Sequence, residues 1–132
     1  MSETDFLHTP ISQINPNEKL IAEGEYAFEC SSYRYFEDSD RHSLTFTIVD
    51  DPEFEGRRIR KNLKNDEKTQ RGIRLLADAT LGAEVENLPA LAAVEAIFNA
   101  VPKPRVLMRT FHFTPDDGDT MALIDLLSVK AA

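Results

Sequence analysis

The chain has no tryptophan, one cysteine, three histidines and five glycines among its 132 residues. A lone Cys30 excludes an internal disulfide, so packing rather than cross-linking must hold the fold, as suits a reducing compartment. His8, His42 and His112 are far apart, and none has metal-ligand spacing to Cys30 or to another histidine. No Gly-rich phosphate loop is present. A nucleophile elbow is missing too, as is the His-x-Glu and Pro-Cys-x-x-Cys pair of zinc deaminases. Asp116-Asp117-Gly118-Asp119 lacks the alternating ligands and closing Glu of an EF-hand and suits a tight hairpin turn. A non-enzymatic protein with no metal and no cofactor is therefore expected. No apolar run approaches the ~18–20 residues that cross a bilayer. The first twenty residues lack the basic start and apolar block of a signal peptide, so a cytoplasmic protein with no membrane partner is expected.

What is present is an uneven charge. The formal net charge is -8. Yet Arg57, Arg58, Arg60, Lys61, Lys64, Lys68, Arg71 and Arg74 are opposed locally only by Asp66 and Glu67. That stretch carries 8 - 2 = +6, and the remainder must sum to -14. An acidic body with one basic stripe repels polyanions generally and offers them one docking place. A solvated strand and helix face would produce the same stripe.

Periodicity divides the chain into an extended arm over residues 1–23, interrupted by Pro10 and Pro16, and one domain over residues 24–132. Tyr26, Phe28 and Cys30 alternate with Glu25, Ala27 and Glu29, predicting a strand that continues through SSYRYF. After the polar loop EDSDR, Leu44, Phe46 and Ile48 alternate with Ser43, Thr45 and Thr47 in a second strand. A third is predicted over Glu55–Leu63, with Ile59 and Leu63 inward and Arg58, Arg60 and Asn62 outward. A helix follows, capped by Asn65 or Asp66 and stopped at Gly82, and a second helical stretch begins near Pro89. RVLMRTFHF, PDDGDT and MALIDLLSV then read as strand, hairpin turn and strand. Five antiparallel strands with one or two helices between the third and fourth is the element order of an OB-fold-like β-barrel. An α+β sandwich shares that order.

Single-strand binders pair a cationic groove with aromatic faces that stack bases. Tyr33, Arg34, Tyr35 and Phe36 interleave aromatics with a guanidinium, Arg41 follows the next loop, and Arg109 and Phe111 repeat the mixture on the fourth strand. The expected nucleic-acid site therefore comprises those residues with Arg57, Arg58, Arg60, Lys61 and Lys64. In it Tyr33, Tyr35 and Phe36 stack bases, and the stripe holds phosphates. Core packing is the competing role for Tyr33, Phe111 and Phe113.

Several motifs also carry a family likeness: Gly24-Glu25-Tyr26, Thr45-Phe46-Thr47-Ile48, Phe54-Glu55-Gly56-Arg57, Lys61-Asn62-Leu63 and the Leu81-Gly82 helix end. With them, the stretch from Gly24 to Lys130 resembles a phage- and prophage-encoded family of unknown-function proteins related to OB-fold single-stranded DNA-binding proteins. That resemblance implies a sequence-independent single-stranded DNA-binding protein supporting phage replication or recombination in a bacterial host cell. Its partners would be single-stranded DNA and replication or recombination proteins. An open barrel can also self-associate through an exposed strand, giving a homo-oligomer. Two features depart from the pattern. The Glu37–Asp40 loop is acidic, and LLSVKAA lacks the acidic, aromatic-tipped tail through which many bacterial single-strand binders recruit partners. The alternative is a non-enzymatic interaction or inhibitor module that presents its acidic surface to a basic partner.

Overall fold

The computed structural model describes residues 19–132. The arm expected over residues 1–23 therefore lies outside the described residues, except for its last five. Five strands form one antiparallel sheet: β1 (Gly24–Phe36), β2 (Arg41–Val49), β3 (Arg58–Lys64), β4 (Arg105–Phe113) and β5 (Met121–Ala131). Their spatial order is β3-β2-β1-β4-β5. Between β3 and β4 the chain forms helix α1 (Glu67–Ala79), a 3-10 turn (Gly82–Val85) and helix α2 (Ala90–Asn99). β1 is the centre: its first half pairs with β4, and its whole length from Ala27 pairs with β2. The sheet coils until its two edge strands approach, and the Lys61 Nζ of β3 donates to the Ile124 carbonyl of β5. No ladder joins β3 to β5. This is an OB-fold-like, partly open barrel.

The alternation predicted for each strand sets what is buried. Phe28, Leu44, Phe46, Ile48, Val106 and Met108 are fully buried inside the coiled sheet. Phe28 and Phe46 meet edge-on, as do Phe46 and Phe98 of α2, so the rings tie one helix to the sheet. α1 lies on β5, where a Cβ at Gly72 would come within 2.7 Å of Leu126 Cδ2; glycine lets helix and strand approach.

Element ends depart from expectation for local reasons. β3 begins at Arg58 rather than Glu55, because the Asp51 carboxylate accepts from the backbone of Glu53 and Phe54 and winds a turn there. Gly56, at φ 87°, takes that turn into the strand. α1 starts under Asp66, as its sequence predicts. It ends before Gly82, since the Thr80 hydroxyl donates to the Leu76 carbonyl at 2.8 Å and closes the last turn. No helix among the described residues is long and apolar enough to cross a membrane.

Candidate nucleic-acid interface

Register builds one polar face on the outside of the barrel. Across β2 and β3, Thr47 lies opposite Arg58, Thr45 opposite Arg60, Ser43 opposite Asn62 and Arg41 opposite Lys64. Across β1 and β2, Ser32 lies opposite Thr45, Arg34 opposite Ser43 and Phe36 opposite Arg41. Side chains two apart on a strand share a face at ~6.6–6.8 Å spacing. Arg34, Arg41, Arg58, Arg60 and Lys64 therefore form a cationic lattice interleaved with short hydroxyls. Phe36 is 39% exposed, and the Arg34 guanidinium sits 4.7 Å from its ring centroid.

Ion pairing separates this face from the rest of the sheet. Elsewhere, Arg105 pairs with Asp50 at 3.3 Å, Arg109 with Asp125 at 3.0 Å and Lys130 with Glu25 at 3.1 Å. Lys19 pairs with Glu53. Arg34, Arg41, Arg58, Arg60 and Lys64 make no ion pair among the described residues. All five are exposed to solvent.

Beneath this face, on the inner side, lies a hydrogen-bonded chain. His42 is 3% exposed, with its ring between Tyr33 and Tyr35. Burial pushes the Tyr33 hydroxyl up to about 12, helped by the charge of Glu95, so it stays protonated. It donates to His42 Nδ1 at 2.6 Å, and His42 Nε2–H then donates to Asn65 Oδ1 at 3.1 Å. The Tyr35 hydroxyl donates to Asp40, a bond that raises its pKa. Asp40 also accepts from the Asn65 N–H through its carbonyl, at 3.1 Å. The acidic Glu37–Asp40 turn is thus tied inward, toward the start of α1, at its last residue.

Six of the twelve residues expected at the site meet on the outer face: Arg34, Phe36, Arg41, Arg58, Arg60 and Lys64. The other six stand elsewhere. Tyr33 and Tyr35 occupy the inner side, Tyr33 against Phe98 as well as His42. Arg57 belongs to the turn before β3, where its guanidinium donates to the Lys19 carbonyl and lies 6.0 Å from the Phe54 ring. Lys61 points into the seam; burial lowers its pKa while Asp125 acts in the opposite direction. Arg109 is engaged by Asp125. Phe111 lies on β4 opposite Leu123, off the outer face of β2 and β3 but lining the groove over the β3–β5 seam. Sequence reasoning passed over Ser32, Ser43, Thr45, Thr47 and Asn62, although the hydroxyls filling the polar phase of HSLTFTIV carried the signal.

Over the β3–β5 seam lies an open groove of about 410 Å³. Lys61, Lys64 and Lys68 line one wall, and Phe111, Leu126 and Leu127 the other. Asp66 and Asp125 also reach it. Among the described residues no cluster of three His, Cys, Asp or Glu side chains is arranged to hold a metal. Cys30 is buried, and that burial pushes its thiol up to about 12, far from a reactive thiolate. No protein-family model, curated protein or solved structure matches the chain.

Proposed function

We propose that the protein binds single-stranded DNA without sequence preference and serves phage replication or recombination in the cytoplasm of a bacterial host. The observation that carries this is the outer face of β1, β2 and β3, where five cations make no ion pair among the described residues while those on β4 and β5 do. In OB-folds the strand 2–3 face is the surface that takes oligonucleotides. The hydroxyls of Ser32 and Thr45 stand between the cations and donate to phosphate oxygens. Phe36 supplies an exposed ring on which a base stacks, worth ~1–3 kcal/mol. Short side chains and cations contact backbone rather than base edges, which favours binding without sequence preference.

Five phosphate contacts at about -0.7 each give a slope near -3.5 for log affinity against log salt. Titrating fluorescent oligo(dT) across a salt series measures it. A flat response, or no binding at low salt, overturns the proposal. The paired substitution Arg58→Glu, Arg60→Glu is expected to abolish binding.

A second reading is favoured by the acidic connections at Glu37–Asp40 and Asp116–Asp119, which repel a polyanion at two ends of the sheet. In it the acidic surface captures a basic protein, and the same double substitution spares that capture.

A further inference from the structure

We propose that the groove over the β3–β5 seam is a nucleotide pocket. It receives one residue of the strand lying on the β2–β3 face, with the base against Phe111 and Leu127 and the phosphate between Lys64 and Lys68. This rests on the single-strand reading above and extends it to a second subsite.

The groove's charge and its unused ring carry the proposal. Its volume of about 410 Å³ lies within the ~300–1,000 Å³ range of ligand pockets. Three lysines face two carboxylates, and both carboxylates are engaged. The Arg109 guanidinium holds Asp125 at 3.0 Å, and the Thr69 N–H occupies Asp66 at 2.9 Å. Lys61 is held by the Ile124 carbonyl, whereas Lys64 and Lys68 make no ion pair among the described residues. A bound group meeting this wall must be anionic.

The opposite wall is apolar and carries a free ring. Tyr26, Tyr33, Tyr35, Phe28, Phe46, Phe54 and Phe98 all meet another ring inside the fold. Phe111 contacts no other aromatic ring among the described residues, and Leu127 beside it is 37% exposed. An anion joined to a flat apolar body is a nucleotide. Continuity selects it over an acidic peptide: Lys64 closes the cationic face opposite Arg41 and also lines the groove. One strand can therefore pass from face to groove without leaving positive charge.

The test uses the full chain and oligo(dT). Phe111→Leu removes the ring and keeps the apolar wall, and Lys68→Glu reverses an exposed charge on α1. Phe111→Leu is expected to weaken binding by about 5- to 100-fold, the worth of one stacked base. Lys68→Glu is expected to weaken it and to flatten the salt slope by about 0.7, with the melting temperature of Lys68→Glu unchanged. Ultraviolet irradiation of the wild-type complex is expected to cross-link a thymine to the peptide containing Phe111, located by mass spectrometry. Should wild type bind no oligonucleotide at low salt, the single-strand reading falls and takes the pocket with it. Wild-type binding that both variants leave within two-fold, with no cross-link at Phe111, overturns the pocket alone. So does capture of a Glu- and Phe-containing peptide that both variants lose while oligonucleotide affinity stays constant.

Discussion

Phe36 and Tyr33 are three residues apart, yet they face opposite sides of β1, and their substitution should separate binding from stability. Phe36 is exposed beside Arg34. Phe36→Ala is expected to lower oligo(dT) affinity by about 5- to 100-fold and to leave the melting temperature nearly unchanged. Tyr33 packs on Phe98 and donates to the buried His42. Tyr33→Leu leaves His42 Nδ1 without its donor, which costs about 1–3 kcal/mol, and oligo(dT) affinity of the folded protein should stay within two-fold. Titration alongside thermal melts checks both; the reverse pattern would place the base-stacking ring on the inner side. The sequence treats Tyr33, Arg34, Tyr35 and Phe36 as one cluster. Strand alternation divides it, and a bulge between Cys30 and Ser32 sets which half faces outward. Were Ser31 in regular alternation instead of bulged, the inward phase of Phe28 and Cys30 would continue through Ser32, Arg34 and Phe36. Nothing in SSYR announces the bulge, because its small polar residues suit either phase. The outward phase of Arg58 and Arg60 was legible, since Ile59 and Leu63 fix it unambiguously.

At the scale of elements, α1 offers a pH-dependent test. The Asp66 carboxylate accepts from the Thr69 N–H, and that hydrogen bond holds its pKa below the usual carboxylate range. A carboxylate depressed in the folded state contributes stability that is complete above its unfolded pKa, ~4. The contribution fades as pH falls through the lower folded value. Asp66→Ala should therefore melt a few degrees below wild type at pH 7, and the gap should narrow steadily below about pH 4. Asp66→Asn, which keeps an accepting oxygen, should hold its cap at both pH values. Circular-dichroism melts at pH 7 and pH 3 decide; a gap that does not change with pH would remove Asp66 as an ionised cap. The helix start was legible because a capping side chain acts on its own neighbours. The strand ends were less so. The turn that delays β3 depends on which of Asp50 and Asp51 folds back onto the chain, and the two look alike in sequence.

For the whole molecule, strand count, helix placement and the basic stripe were visible, because each is a local pattern. The seam groove was not. It brings Lys61, Lys64 and Lys68 against Phe111 and Leu127, 43 to 66 positions away, and only the coiling of the sheet sets that meeting. Nor could composition reveal that the cations of β4 and β5 are ion-paired while those of β2 and β3 are not, among the described residues. On the proposed single-strand reading, the acidic remainder of the chain would keep a polyanion off the other sides of the barrel. The partly open barrel has one more consequence. A seam spanned by a side chain rather than a ladder leaves backbone amides along the facing edges of β3 and β5 without strand partners. In deuterated buffer those amides should exchange first, while the amides of β1, flanked on both sides over Ala27–Glu29, should exchange only on global unfolding. Seam amides as slow as those of β1 would mean that the barrel is closed in solution. A bound oligonucleotide that slows exchange along the seam would show that the opening is where the molecule breathes.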